Sequence, residues 1–217
     1  EFQQISDFED SKTFQKKLRS VWQLQQHVSY CLFGSKKHLM NELFEKKNLP
    51  FYKFGDAIYL TKIETKYWIE YICKRFENTG KHISPELAEE ICRLVDNHSS
   101  YVQQLSWLLW IRTINTATTE QLSYALEDLL DQNNILFQSE TENLSAYQMN
   151  FLKAIVDGIH TKFSSKEVIS KYNLGTSANI VRLKNALLQK ELIETNGKEI
   201  VLADPVFEVW FKKEMLY

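Results

Sequence analysis

The chain contains some of the residue types that bind phosphate, so phosphate binding is the first chemistry that its sequence suggests. A phosphate-binding P-loop has the pattern GxxxxGK[ST], in which backbone N–H groups and the lysine hold the phosphates. The chain has two Gly-Lys pairs, Gly80-Lys81 and Gly197-Lys198, and neither has a glycine five residues earlier. Gly34-Ser35-Lys36 contains the right residue types in the wrong order. On its own residues, the chain is therefore predicted not to be a complete enzyme.

Other catalytic and metal-binding patterns are also missing from the sequence. It shows no recognisable Ser/His/Asp set, HExxH motif or carboxylate pair, and its five histidines are scattered. The three cysteines, Cys31, Cys73 and Cys92, have neither CxxC spacing nor a Cys/His ligand pattern. We therefore expect no metal site, and reduced cysteines in a cytoplasmic protein.

Composition limits the partners that the whole surface would attract. The 26 basic and 28 acidic residues give a net charge of −2, so no global field draws the protein to nucleic acid or membrane. The most apolar run, LSWLLWI (105–111), is far shorter than the roughly 20 residues of a membrane-spanning helix. Nucleic-acid binding would have to be local, and no membrane partner is expected.

The first 63 residues alternate between two periodicities. SKTFQKKLRSVWQLQQ (11–26) and KKHLMNELFEKK (36–47) have helical spacing. HVSYCLF (27–33) and AIYLTKI (57–63) are short, apolar and rich in β-branched and aromatic residues, which predicts buried strands. Along the chain the predicted order is helix, strand, helix, strand, which is typical of a parallel α/β sheet. If the neighbouring strands lie outside the chain, VSYCLF should expose an apolar face.

Only helices are predicted from residue 64 to residue 138. SPELAEEICRLVDN (84–97) begins with a capping serine and a proline at the first helical position. SYVQQLSWLLWIRTI (100–114) is apolar nearly all round and is predicted to be the buried centre of a small bundle. TTEQLSYALEDLLDQNNIL (118–136) is a further helix, and the polar QSETENLS (138–145) is predicted to be a linker.

The last segment has the pattern of a winged helix-turn-helix. Three helical stretches (144–158, 164–173 and 176–192) are followed by two short apolar runs around Asn196-Gly197. Asn-Gly between such runs indicates a hairpin with a type I′ turn. The predicted fold class is therefore mainly α (α+β), ending in a winged helix-turn-helix.

A family resemblance covers essentially the whole chain. It is carried, in order, by EFQQI, LRSVWQ, VSYCLFGSKKHLMNELF, PFYKFGDAIYLTKI, SYVQQLSWLLW and LADPVFEVWF. These segments resemble the C-terminal half of the archaeal-type, AAA-like P-loop ATPases related to the STAND group. The DPxFxxW string that closes the chain is the most specific of them. The resemblance implies a remnant of the P-loop ATPase core (1–63), a helical lid (64–138) and a winged-helix domain (144–217).

The resemblance also implies roles for four residues of the core remnant. In that family a strand ends in an Asp-Glu pair followed by Phe-Gln, the Walker B motif, so Glu1 matches the glutamate that polarises the attacking water. Ser35 and Lys36 fall where the family has its sensor 1, which contacts the γ-phosphate; the alternative is a strand-to-helix turn with an N-cap serine. Arg19 is either a phosphate-sensing or a structural arginine, or a solvated one.

One departure affects the lid. Many STAND relatives have Gly-x-Pro there, with the proline packed on the adenine, whereas this chain has NHSSYVQQL (97–105). His98 or Tyr101 would have to replace that contact by stacking, and the alternative is that both belong to the core. The resemblance implies ATP and Mg²⁺ in a longer parent protein and no cofactor in this chain alone.

The third helix of a winged-helix domain is the element that enters the major groove in DNA complexes. Helical spacing predicts that Ile180, Leu183, Leu187 and Leu188 face inward. The residues predicted to face outward or to reach phosphates are Asn179, Arg182, Lys184, Asn185, Gln189, Lys190 and Lys198. Arg182 and Asn185 are of the types that read guanine and adenine edges. Residues 144–217 hold 10 basic and 8 acidic residues, a net charge of +2, so few phosphate contacts and weak, salt-sensitive binding are expected.

Three functions remain open from the sequence. The first is a nucleotide-dependent switch, in which the parent is an ATPase and this chain alone is inactive. The second is the DNA-binding module of a regulator. The third is a winged helix that only contacts protein or packs on the lid, and the small net charge favours it slightly over DNA binding.

Overall fold

The protein is mainly helical, as the sequence predicts. The computed structural model describes residues 1–35 and 37–215, and the chain divides into two compact units, Glu1–Leu60 and Thr61–Tyr217. Across the described residues, one two-stranded antiparallel sheet accompanies the helices.

The first unit is small and has an aromatic core. It contains a 3₁₀-helix, Phe2–Asp7, and the helices α1 (Ser11–Trp22) and α2 (Lys37–Glu45). Ile5, Leu43 and Phe51 are buried at its centre, and the Phe2 and Phe51 rings meet edge to face at 5.4 Å. These apolar contacts hold the 3₁₀-helix against α2 and the loop that follows it.

The two strands predicted in the first 63 residues are not formed. Residues 27–33 and 57–63 are irregular. In place of a strand ladder, the Phe33 carbonyl accepts a backbone hydrogen bond from the Phe2 N–H at 2.9 Å. A strand requires a neighbour that satisfies its backbone groups. The apolar side chains are consequently exposed, Phe33 by 73% and Leu60 by 93%. The exposed apolar face expected on VSYCLF is present.

The second unit begins with four helices around a shared core. These are α3 (Thr65–Glu77), α4 (Pro85–Leu94), α5 (Ser99–Arg112) and α6 (Thr119–Glu142). Ser84 caps α4 by accepting the Leu87 N–H at 3.2 Å, as predicted. Among the helices that the structure describes, none has both the length and the apolar character needed to cross a membrane.

Two predictions about these helices are corrected. The stretch QSETENLS is not a linker, because α6 continues to Glu142 with Phe137 and Thr141 buried on its inner side. Helix α5 is not buried all round: Leu105 and Leu109 are fully buried, whereas Trp107 is 56% exposed. Composition alone does not reveal which side of an apolar helix lacks a neighbour.

The winged helix follows directly. It comprises α7 (Ala146–Val156), α8 (Lys166–Lys171), α9 (Ser177–Gln189), β1 (Ile193–Asn196), β2 (Glu199–Leu202) and α10 (Pro205–Met215). The hairpin is confirmed, but its turn is not type I′. Asn196 pairs with Glu199, and only Gly197 of the two central residues has a positive φ, 61°, which is the pattern of a type II′ turn.

Helix α10 packs the winged helix against α6. The Phe207 ring lies 5.3 Å from Phe137, and the Trp210 indole Nε1–H donates to the side-chain oxygen of Asn134 at 2.8 Å. Phe207 and Trp210 are both fully buried. The closing DPxFxxW string is therefore the packing surface between the winged helix and the helical bundle.

Candidate functional site

Glu1 and Ser35 come together in the first unit, although 34 residues separate them. The Ser35 hydroxyl donates to Glu1 Oε2 at 3.0 Å, and the Gln3 amide donates to the same oxygen. The Gln3 and Ser35 hydrogen bonds lower the pKa of the Glu1 carboxyl, because they favour its charged form. Glu1 is exposed, so this carboxylate is open to solvent.

Gly34 allows the close approach of the two segments. A Cβ at this position would overlap the side-chain oxygen of Gln3 and would lie 2.8 Å from Met40 Sδ. The bond from the Phe2 N–H to the Phe33 carbonyl fixes the backbone next to it. A glycine is therefore required here for space, since its φ is not positive.

Arg19 contacts the loop that follows α2. Its guanidinium donates to the carbonyls of Pro50 and Tyr52, the latter at 3.1 Å, and lies 5.5 Å from the centre of the Phe54 ring. These contacts hold the loop after α2 on α1. Lys36, the other residue predicted for phosphate sensing, lies outside the described residues.

The first unit does not by itself fit an ATP–Mg²⁺ complex. The Glu1–Ser35 pair supplies one carboxylate and one hydroxyl, without the backbone loop and lysine that hold phosphates. Within the described residues, no three His, Cys, Asp or Glu side chains are grouped as metal ligands.

The predicted adenine-side residues lie at the start of α5. Tyr101 is 9% exposed, and its hydroxyl donates to Asp204 Oδ2 at 2.5 Å. Burial and then this hydrogen bond raise the pKa of Tyr101. The His98 ring lies 4.7 Å from the Tyr101 ring, and its buried Nδ1 has no hydrogen-bond partner among the described residues. Tyr101 is thus held in the core, which was the alternative to stacking on adenine for this residue.

Asp204 is the residue that sequence reasoning missed. Its Oδ1 accepts the backbone N–H groups of Val206 and Phe207 at 2.7 and 2.9 Å, so it caps α10, which begins at Pro205. Its Oδ2 accepts the Tyr101 hydroxyl. One carboxylate therefore joins the start of α10 to the start of α5. The Asp-Pro pair was a sequence signal for the cap, but not for the bond to Tyr101.

The predicted DNA-facing residues lie on or beside α9. Ile180, Leu183 and Leu187 are buried, as predicted, whereas Leu188 is only half-buried. The exposed members of the predicted set are Arg182, Asn185, Gln189, Lys190 and Lys198, whereas Asn179 and Lys184 are half-buried. Asn179 is partly engaged, because its amide donates to the Leu174 carbonyl at 3.1 Å.

A small cleft opens at the N-terminal end of α9. It has a volume of ≈ 260 Å³ and is lined by Tyr147, Gly175, Thr176, Ala178, Asn179 and Arg182. Gly175 has a φ of 84°, which favours glycine, and its Cβ position lies 3.2 Å from the Asn179 amide nitrogen. Arg182 is exposed on α9 and also lines this cleft.

Comparison with known proteins supports the architecture at two levels. A family model described as a probable winged helix domain matches residues 135–213, which include the end of α6, α7 to α9, the hairpin and most of α10. A solved structure of a Walker-type ATPase from Pyrococcus abyssi matches with a TM-score of 0.71 and 17% sequence identity. No curated protein matches the chain.

The two matches define the class of fold. The alignment covers 97% of this chain and 61% of the Pyrococcus abyssi ATPase, so the chain spans less than two thirds of the length of that protein. The chain contains a winged-helix domain and shares the fold of part of a Walker-type ATPase.

Proposed function

We propose that the chain is the C-terminal part of an AAA-like, STAND-related P-loop ATPase that works as a nucleotide-dependent switch. The rest of the parent protein would supply the P-loop, ATP and Mg²⁺, and this chain alone neither binds ATP tightly nor hydrolyses it. Most of the electrostatic stabilisation of a transferring phosphoryl group comes from groups that this chain does not contain. The structural match over 97% of the chain carries the proposal.

The Glu1–Ser35 pair supports a Walker B and sensor 1 assignment. Those two motifs stand at the ends of adjacent strands in such ATPases, and here Glu1 and Ser35 are joined by a hydrogen bond of 3.0 Å. The exposed apolar segments 27–33 and 57–63 support it further, because they have the composition of strands that lack neighbours. We propose that strands of the parent protein cover them.

The encoding gene and the parent protein provide the test. The proposal requires a GxxxxGK[ST] motif roughly 80–120 residues before Glu1, with an aspartate immediately before Glu1. In the parent, Glu1→Gln should abolish hydrolysis while ATP binding persists, and Lys12→Ala, an exposed change on α1, should leave both intact. ATP turnover by the 217-residue chain that Glu1→Gln abolishes would refute the statement that this chain alone is inactive, and unchanged hydrolysis in the Glu1→Gln parent would refute the assignment of Glu1.

DNA binding by α9 is the second candidate function. It is favoured by the exposure of Arg182, Asn185 and Gln189, since such groups read base edges in the major groove. Against it stand the net charge of +2 over residues 144–217 and the glutamates near the hairpin. With about three phosphate contacts, the slope of log K against log salt should be about −3.

Titration into a labelled duplex at low salt tests this candidate. Arg182→Ala and Lys184→Ala should each weaken binding, whereas Lys12→Ala removes the same charge elsewhere and should not. Equal weakening by all three variants would mean nonspecific attraction. No detectable binding would leave the winged helix as a protein-contact domain.

A further inference from the structure

A cleft between α3 and α5 has no role in the functions considered so far. Its volume is ≈ 430 Å³, within the range of roughly 300–1,000 Å³ that is usual for binding pockets. Tyr71 and Arg75 are one turn apart on α3, and Trp107 and Trp110 lie almost one turn apart on α5, so each helix presents one stripe to the cleft. The floor is apolar, with Ile72 and Phe76 almost fully buried.

Two aromatic rings of the cleft are open to solvent. Trp107 is 56% exposed and Tyr71 42% exposed. Rings of this size at the mouth of an apolar cleft stabilise the protein less than buried ones, which points to a contact that the isolated chain does not make. Tryptophan, tyrosine and arginine are also the residue types that contribute most energy at protein interfaces.

The uncharged polar groups of the cleft are largely satisfied internally. Thr79 Oγ1 accepts the Trp110 indole N–H at 2.9 Å and donates to the Phe76 carbonyl at 2.8 Å. The Ser106 hydroxyl donates to the Val102 carbonyl at 2.6 Å. A polar metabolite would find few free hydrogen-bond donors here. Recognition must depend on apolar contact and on charge.

The charges at the cleft are positive. The Arg75 guanidinium lies 5.0 Å from the centre of the Tyr71 ring, and Lys81 Nζ lies 4.0 Å from the Trp110 ring. Within the described residues, neither cation forms an ion pair and no carboxylate lines the cleft. The Arg75 guanidinium lines the cleft, is exposed and remains available to an acidic partner. Lys81 Nζ also donates to the Trp110 carbonyl at 2.6 Å, so it adds its charge beside the cleft.

We propose that this cleft binds an acidic amphipathic helix of a partner protein. Apolar side chains of that helix enter between Tyr71 and Trp107, and its flanking carboxylates reach Arg75 and Lys81. A groove between two helices suits a third helix that presents its apolar stripe. Single-stranded nucleic acid fits less well, because it needs a line of cations along its backbone, whereas Arg75 lines the cleft and Lys81 lies beside it.

A designed peptide tests the proposal with the full chain. The probe is a capped peptide of about 16 residues with leucines at i, i+3, i+4 and i+7 and glutamates beside them. We expect saturable binding by calorimetry, together with a change in tryptophan fluorescence. A matched peptide with lysine in place of each glutamate should bind at least about tenfold more weakly, because like charges then oppose Arg75 and Lys81.

Variants of α3 and α5 locate the contact. Trp107→Ala and Arg75→Glu should each weaken binding by about tenfold or more, as at interface hot spots. Ile111→Ala is the matched control, since Ile111 is 52% exposed on α5 and does not line the cleft. All three sites are exposed, so the variants should retain the fold.

Four outcomes would overturn the proposal. They are no binding of the acidic peptide, equal binding of the lysine peptide, binding unaffected by Trp107→Ala, and an equal loss in Ile111→Ala. Self-association that Trp107→Ala abolishes would assign the cleft to a second copy of the chain. Binding of a single-stranded oligonucleotide that depends on Trp107 would assign it to nucleic acid.

Discussion

Replacing Asp204 should reveal how strongly the winged helix is fixed to the helical bundle. Its carboxylate makes two separable contributions: Oδ1 caps α10, and Oδ2 accepts the hydroxyl of buried Tyr101 at 2.5 Å. Asp204→Ala removes both. Asp204→Ser keeps a capping oxygen but is too short to reach Tyr101, so the two variants separate the cap from the bond between α10 and α5.

The expected losses follow from these contacts. Loss of an N-cap costs about 1 kcal/mol. A buried hydroxyl left without a partner costs roughly 1–3 kcal/mol. Asp204→Ala should therefore lower the free energy of unfolding by about 2–4 kcal/mol, and Asp204→Ser by about 1–3 kcal/mol. Tyr101→Phe removes a hydrogen bond to a charged group, which is worth roughly 1.5–3 kcal/mol.

Urea unfolding followed by tryptophan fluorescence measures these losses. Four of the five tryptophans lie in the second unit, so the signal reports mainly on its unfolding. The double variant Tyr101→Phe with Asp204→Ser completes a cycle. If the two residues act through one bond, the combined loss should fall short of the sum of the single losses by at least about 1 kcal/mol.

Additive losses would contradict the structural reasoning. Agreement with simple addition to within about 0.5 kcal/mol would mean that Tyr101 and Asp204 act independently. An Asp204→Ser variant as stable as the unsubstituted chain would show that the Tyr101 hydroxyl binds water instead. Either result would remove the proposed connection between α5 and α10.

Three further predictions concern other parts of the chain. Gly34→Ala should displace Gln3 and Met40 and destabilise the first unit by roughly 1–3 kcal/mol, as overpacking does; proteolysis within residues 1–60 should quicken while that of 61–215 does not. Burial raises the pKa of Cys92 to about 11, so about one thiol in a thousand is ionised at about pH 8; iodoacetamide should label exposed Cys31 first, and equal labelling would contradict this. Burial and then the charge of Asp204 raise the pKa of Glu140 above its ordinary value of 4.5, so the native state binds more protons than the unfolded chain. The free energy of unfolding should therefore fall as pH rises from about 4.5 through the folded-state pKa. Glu140→Gln should flatten this slope, and an unchanged slope would contradict the raised pKa of Glu140.

Local sequence signals predicted the second unit well. The Ser84-Pro85 start of α4 and the Gly197 turn are specified by residues a few positions apart, and both elements form. The inward residues of α9 followed from helical spacing alone. Such features depend on the chain near each residue, which is why one sequence is enough to find them.

The failures have a different cause. Residues 27–33 have the composition of a strand, but a strand forms only beside a partner, and the described residues provide none. The exposed side of α5 could not be predicted, because an apolar helix gives no indication of which neighbour is absent. The bond between Tyr101 and Asp204 spans 103 residues, a separation over which spacing rules carry no information.

The alternatives of DNA binding and protein docking for the winged helix use different elements of the domain. Docking on the bundle goes through α10, where Phe207 and Trp210 are buried against α6. The candidate DNA surface is α9, where Arg182 is exposed. Docking through α10 therefore leaves α9 free. A loss of docking in Asp204→Ala should lower the free energy of unfolding without changing the intrinsic affinity for a duplex. Arg182→Ala should weaken duplex binding without changing the free energy of unfolding. The docking of α10 is consequently no argument against DNA binding, which depends instead on the few cations around α9.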